Sequence, residues 1–324
     1  MKNKLLSIIV PAYNIEKFLT KSIRSLGIFL SNVDVEILIV NDGSIDETYQ
    51  VAMRLSDVFN NIKVVNKSNG GLSDARNVGN KLASGQYIYF FDGDDYLNTE
   101  FIPRILDIIR TYNVDILCFG YSKVDEHDHV YSQHIFDSNS ELSTISNRDF
   151  VKSLVGDPNE PIAGYLPTKI IKHNLVKNIK FRDMNYEDMP FILELLETQK
   201  LKSIYLNKAV YNYVQRNNSI THSVSEKNLL DKLNSLKLVQ ESIEKQQLDK
   251  SIHALNVIRS MIAVLWVSSL NNRINKSGDV STKSNIYIKK IIRSALKLHV
   301  VFPIFESAKI LYYLLKNKML GGRG

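Results

Sequence analysis

Residues 87–95 read Tyr87-Ile88-Tyr89-Phe90-Phe91-Asp92-Gly93-Asp94-Asp95. Five apolar or aromatic residues run unbroken into a turn that carries three carboxylates within four positions. A short continuous apolar run rich in aromatics predicts a strand buried on both faces. Three carboxylates so close together repel one another, so packing does not account for them. Oxygen ligands at this density suit Mg2+ or Mn2+, which bridge a few carboxylates to substrate phosphates. The plainer alternative is a polar turn capping a helix that starts near Thr99; Asp95 alone fits that.

The same grammar extends to either side. Leu6 to Val10 reads as a buried strand, and a helical stripe follows at Ile15, Phe18, Leu19, Ile23 and Leu26. Val35–Val40 is a second strand. Ser44-Ile45-Asp46-Glu47 has the spacing of a capping box and predicts the start of a helix. Ile62–Val65 is a third strand, Asn69-Gly70-Gly71 a turn tolerant of positive φ, and a helix runs on to about Ala83. After the quoted strand come a helix from about Thr99 to Tyr112 and a fifth strand, Val114–Phe119. Strands that alternate with helices imply right-handed βαβ units and a parallel sheet.

Ligands of such sheets bind at the carboxyl ends of the strands. Those ends are Pro11-Ala12-Tyr13-Asn14, Asn41-Asp42-Gly43-Ser44 and Asp92-Gly93-Asp94-Asp95. Three polar clusters therefore land on one edge, two of them with carboxylates. No G-x-x-x-x-G-K-[ST] and no G-x-G-x-x-G after a strand occurs, so a diphosphate has no glycine cradle here. There is no C-x-x-C and no H-E-x-x-H, which removes the common zinc sites.

The 324 residues are 44% hydrophobic and 23% charged, an ordinary globular composition that excludes disordered and collagen-like chains. Cys118 is the single cysteine, so no internal disulfide forms and a reducing compartment is expected. The formal net charge is +7, unevenly spread. Residues 1–225 carry a balance of −3 and residues 226–324 one of +10. The N-terminal apolar run is too short for a signal peptide, and no stretch reaches the roughly 18–20 apolar residues of a membrane span. The expectation is a chain neither exported nor transmembrane. Beyond residue 223 the pattern is helical.

Six ordered segments together resemble the family 2 glycosyltransferases, inverting enzymes of the GT-A fold. They are Ser7–Asn14; Ile37–Ser44 with Asp46; Asn69–Ser73 leading to Ala75-Arg76-Asn77; Tyr87–Asp95; Tyr186-Glu187-Asp188-Met189-Pro190-Phe191; and Tyr211-Asn212-Tyr213 with Arg216 and Ser219-Ile220-Thr221. The resemblance covers residues 5 to about 222. It implies an α/β, Rossmann-like, mostly parallel sheet flanked by helices, with a C-terminal helical appendage. Residues 1–222 would be the catalytic domain, about 1–110 the nucleotide-sugar half and 111–222 the acceptor half. Residues 223–324 would be a helical, basic region.

The resemblance also implies roles. Pro11, Tyr13 and Asp42 would line a uracil pocket, Asp42 accepting from the base, with Asn14, Gly43 and Asn69 beside them, and Arg76 would contact the nucleotide. Asp92 and Asp94 would hold ribose and a metal-bound diphosphate, Asp94 being the best ligand for Mn2+ or Mg2+. Asp95 would support the site or meet the sugar. Asp188 would be the catalytic base, with Glu187 the second choice. Inverting transfer needs such a carboxylate to take the proton of the acceptor hydroxyl, and a helix N-terminus favours its negative charge. Taken alone, Glu187 and Asp188 read better as ordinary N-terminal helix charges, a common arrangement. Arg216 and Ser219 would close over the diphosphate, or form a solvated turn. Where relatives often carry an aromatic before a lysine, this chain has Leu166-Pro167-Thr168-Lys169. Trp266 reads as core and His222 as a surface histidine.

The implied partners are a UDP-sugar donor and a glycan or polyprenyl-diphosphate-linked saccharide acceptor, with a homo-oligomer possible. No nucleic acid is expected, because the positive charge avoids the α/β part and lacks aromatic interleaving. Lys289, Arg293 and Lys297 lie on one helical face, with Ile288, Ile291, Ile292 and Ala295 on another; Ala308–Leu320 repeats the theme. Such helices lie on anionic lipid, or pack their apolar stripe on the rest of the chain. The expected location is cytoplasmic, at the cytoplasmic face of a bacterial membrane. Two readings compete with the transferase. A nucleotidyltransferase would want a Gly-rich basic loop after the first strand. A non-catalytic scaffold of a glycan assembly complex would have no need of Asp92, Asp94 and Asp188.

Overall fold

The computed structural model describes residues 4–136, 139–148, 150–151, 164–197, 200–216 and 226–245. The chain forms two compact units, Met1–His222 and Ser223–Gly324. Ser219, His222, Trp266 and the expected basic helices beyond residue 285 lie outside the described residues.

The first unit opens with β1 (Leu6–Ala12), α1 (Glu16–Arg24), β2 (Val35–Asp42), α2 (Thr48–Val58), β3 (Ile62–Lys67), α3 (Leu72–Leu82) and β4 (Tyr87–Phe90). Every residue of β1, β2 and β4 is buried, as continuous apolar runs require. These strands pair in parallel, in the order β3-β2-β1-β4. A short β5 (Tyr96–Leu97), α4 (Ile102–Thr111), β6 (Ile116–Val124), β7 (Val130–His134) and β8 (Leu142–Ile145) follow. Then come β9 (Lys169–Lys172), the single turn α5 (His173–Val176), α6 (Asp188–Glu197) and β10 (Ser203–Val214).

Two elements depart from a purely parallel reading. Strand β9 inserts antiparallel between β4 and β6 and joins the two parallel halves. Strand β10 runs parallel to β6, and its far edge meets β8 near its start and β5 near its end, both antiparallel. Sequence patterning does not separate β9 or β10 from neighbouring helices, because their residues are buried on both faces and show no alternation.

Helix α3 packs closely on β1 because Gly79 has no side chain: a Cβ there would run into Ile9 Cγ2. Glu36 is buried on β2, where Ser7 Oγ donates to it at 2.6 Å, the Ser84 N–H and Oγ each at 2.7 Å, and Lys63 Nζ at 3.0 Å. The Ser44–Glu47 spacing does not act as a capping box. Ser44 Oγ accepts the Asn14 N–H instead, and α2 starts at Thr48, whose N–H donates to Asp46 Oδ1. The spacing serves a contact between loops, which a local pattern does not reveal. In the second unit the described element is α7 (Glu226–Lys245). No helix among the described residues is long and apolar enough to cross a membrane.

Candidate active site

The polar clusters after β1, β2 and β4 meet at one edge of the sheet. Asn14 adopts φ 52°, a left-handed conformation that asparagine tolerates better than most residues. Its N–H donates to Ser44 Oγ at 3.1 Å and its Oδ1 accepts the Ile45 N–H at 2.9 Å, tying the first two loops together. Gly43 sits at φ 68°, and a Cβ there would lie 2.6 Å from the Asn69 nitrogen. Only glycine therefore lets the β2 loop touch the loop before α3. Asn69 Nδ2 donates to the Asp42 carbonyl at 3.0 Å. The buried Asp42 carboxylate accepts the Gly70 N–H at 2.9 Å and the Gly71 N–H at 2.7 Å, and pairs with Lys67. Tyr13 projects from this group, 47% exposed, beside buried Pro11. Gly93 brings the acidic turn against the end of β1, since a Cβ on it would sit 3.1 Å from the Pro11 carbonyl oxygen.

Arg76, on α3, organises the acidic residues. It is 1% exposed, and its guanidinium reaches Glu187 Oε1 at 2.5 Å, Asp188 Oδ1 at 2.6 Å and Asp92 Oδ1 at 2.8 Å. The planar fork suits this multiple grip. Two acidic segments far apart in sequence thus meet around one cation. Asp188 opens α6, and its Oδ2 accepts the Leu166 N–H at 3.0 Å. Burial pushes the Glu187 carboxyl above its ordinary range, with Asp188 adding to the rise and Arg76 opposing it. Burial likewise pushes Asp92 up to about 6, against the pull of Arg76 and helped by Asp94 and Asp188.

Asp95 and Asp94 have separate partners. Asp95 is buried and accepts from the Tyr211 hydroxyl and from the Val214 N–H at 2.8 Å, which ties the acidic turn to β10. Burial, then the charges of Asp94 and Asp92, drive its carboxyl well above the ordinary value. Asp94 pairs with Arg216, whose guanidinium also lies 4.4 Å from the centre of the Phe18 ring. The side chains of Asp92 and Asp94 remain 29% and 31% exposed. Each gives one carboxylate oxygen to an arginine, and the other oxygen is held by neither. Two partly exposed carboxylates one residue apart are hard oxygen donors that fit a divalent cation completed by phosphate oxygens. Among the described residues no third His, Cys, Asp or Glu joins them in a closed metal cage.

Sequence reasoning missed several supports. The Leu166 amide on Asp188 leaves no trace in residue identity. Lys169 is buried; its Nζ donates to the Tyr165 carbonyl at 2.7 Å and to Thr168 Oγ1 at 3.0 Å, and burial brings it down to about 8. A lysine between Leu166-Pro167 and Ile170-Ile171 was the available signal. Tyr211 stood in a motif, but its bond to Asp95 depends on the β10–β5 pairing.

Residues 7–172 match the family described as glycosyl transferase family 2. An uncharacterized glycosyltransferase of Bacillus subtilis, EpsJ, is 32% identical over 222 residues, covering 67% of this chain and 63% of EpsJ. Glycosyltransferase GlyA of Streptococcus pneumoniae is 27% identical over 224 residues, 68% of this chain. The match spans only 32% of GlyA, so the chain corresponds to a part of that relative. The crystal structure of S. aureus TarS residues 1–349 with UDP-GlcNAc superposes with a TM-score of 0.64 at 23% identity, covering 94% of this chain and 84% of that one. The fold is thus the mixed α/β architecture of TarS, the GT-A arrangement that the six segments implied. With the family pattern running through more than half of its length, from β1 to β9, the chain belongs to glycosyl transferase family 2.

Proposed function

We propose that the chain is an inverting, metal-dependent glycosyltransferase acting in surface polysaccharide or glycoconjugate synthesis. It moves a hexose or N-acetylhexosamine from a UDP-sugar to a hydroxyl of a glycan acceptor, in the lipid-linked case at a membrane face. The observation that carries this reading is the convergence of Asp92, Glu187 and Asp188 on buried Arg76, with Asp94 beside them. Support for the donor comes from TarS, which is named a poly(ribitol-phosphate) beta-N-acetylglucosaminyltransferase and was crystallised with UDP-GlcNAc and with UDP.

In this reading Tyr13 stacks on the uracil, and Pro11, Asn14, Asp42, Gly43 and Asn69 shape its pocket. Asp94 and Asp92 hold Mn2+ or Mg2+, which supplies Lewis-acid stabilisation of the charge gathered on the departing diphosphate. Arg216 shifts from Asp94 toward that diphosphate, with Ser219 on the same segment. Asp188 accepts the proton of the acceptor hydroxyl as it attacks the anomeric carbon in one displacement. Arg76 and the Leu166 amide each hold one of its oxygens, and each oxygen keeps a further lone pair for the proton. General-base assistance of this kind contributes about 10²–10⁴-fold. Glu187, on the same guanidinium, fixes the geometry of Asp188.

The test is UDP release from a panel of UDP-sugars with Mn2+ or Mg2+, with and without EDTA. Asp188→Asn is expected to lower transfer by at least about 10²-fold while UDP still raises the melting temperature. Full transfer by that variant overturns the base assignment; full transfer in EDTA overturns the metal.

A further inference from the structure

Three tyrosines from separate segments meet ring to ring. The ring centres of Tyr121 and Tyr165 are 5.2 Å apart, and those of Tyr165 and Tyr213 5.9 Å. Tyr121 is buried and stacks on His134 at 4.4 Å, which makes it a rigid base for the others. Tyr165 and Tyr213 are half-buried and Tyr131 is 53% exposed. The β6–β7 pairing shifts register between Lys123↔Ser132 and Val124↔Val130, so Tyr131 is the extra residue of a bulge, a device that re-aims side chains near sites. Strand β6 lies between the two tyrosines: its Lys123 pairs with Tyr213 on one side and with Ser132, the residue after Tyr131, on the other.

The position of the pair is informative. Tyr165 adjoins Leu166, whose amide holds Asp188, and Tyr213 adjoins Val214, whose amide holds Asp95. Each tyrosine is thus next in sequence to a residue whose amide holds one of the site's carboxylates. We infer that Tyr165 and Tyr213, backed by Tyr121 and rimmed by Tyr131, form the platform on which a pyranose ring of the acceptor stacks. This rests on the transferase reading above and names the residues that would hold its saccharide acceptor. A pyranose presents an apolar C–H face that matches an aromatic ring, and a tyrosine adds a hydroxyl for the polar rim.

Charge favours a neutral sugar over a phosphodiester polyol. The turn beside Tyr131 carries Asp125, Glu126 and Asp128, of which Asp128 pairs with Lys21 and Asp125 with His129. Arg76 is committed to carboxylates, Arg216 to Asp94 or, in the reading above, to the donor diphosphate, and Lys169 to Tyr165 and Thr168. Lys123, opposite Tyr213 in the β6–β10 pairing, adds one positive charge.

Saturation-transfer NMR on the full chain with UDP and Mn2+ tests this, using the methyl β-glycosides of glucose, galactose and N-acetylglucosamine, with ribitol 5-phosphate as the contrast. Transfer to ring C–H protons of at least one glycoside is expected. Tyr165→Leu and Tyr213→Leu, which keep apolar bulk but remove the ring, should each weaken binding about fivefold to tenfold. The Phe variants should retain it. Unchanged binding in both Leu variants, or binding of ribitol 5-phosphate and none of the glycosides, overturns the platform. A UDP-induced melting shift is read on every sample. If it persists while the glycosides ignore the tyrosines, the platform alone fails; if the native chain lacks it, the transferase reading fails first.

Discussion

At the residue scale the candidate site depends on Arg76. A buried cation with three carboxylates is costly to desolvate, and removing it leaves negative charge without compensation. Arg76→Met should lower stability by about 3–5 kcal/mol, read as the urea midpoint at pH 7. Arg76→Lys should recover part of that, since an ammonium supplies charge without the planar fork. A native-like midpoint for Arg76→Met would show that the cluster is not what holds α3 to α6. Several of these residues were legible beforehand. Asp92 and Asp94 stand out because carboxylates crowded at a strand end repel one another, whereas Asp188 stands out only within the family's segments, since an acidic helix start is ordinary. Arg76 was expected to contact the nucleotide, and its place among the carboxylates was not legible. Nothing local says that a helix arginine faces a segment more than a hundred residues away.

At the element scale, close packing and buried charge decide stability. Glycine inside a helix ordinarily costs about 1 kcal/mol relative to alanine. At Gly79 the sign reverses, because a Cβ would strike Ile9. Gly79→Ala should therefore destabilise by about 1–3 kcal/mol, visible as a lowered melting temperature. A raised one would mean that α3 can lift from β1 at no cost. Glu36 makes the second case. Burial opposes its charge, but donors from Ser7, Ser84 and Lys63 outweigh that and hold its carboxyl at about 2, below the ordinary 4.5. A depressed folded-state value stabilises above pH 4.5 and is lost as pH falls toward 2. The linked stability is at most about 3 kcal/mol. Glu36→Gln should be less stable than the native chain at pH 7, and urea titrations should show the gap shrinking between pH 4.5 and 2. A pH-independent gap would assign the effect to packing instead.

At the scale of the whole molecule, charge divides the chain. Residues 226–324 hold all the excess positive charge, and residues 1–225 are slightly acidic. The carboxylate edge accounts for part of that acidity. The basic end is proposed to lie on anionic lipid, at about 1 kcal/mol per basic residue near the surface. Removal of residues 285–324 should abolish co-sedimentation with phosphatidylglycerol vesicles at low salt while UDP binding persists. Undiminished co-sedimentation would return those lysines and arginines to the role of a solvated face.

The succession of β1 to β4 along the chain, the helices between them and the gathering of polar clusters at one sheet edge follow from sequence alone. Each is encoded locally, in apolar runs, periodicity and turn residues. The antiparallel insertion of β9, the two partners of β10, the closing of Asp92 and Asp188 around Arg76 and the meeting of Tyr165 with Tyr213 were decided by tertiary structure. Each joins segments remote in sequence, and such pairings are selected by burial and charge compensation across the whole sheet, which no single window of residues contains.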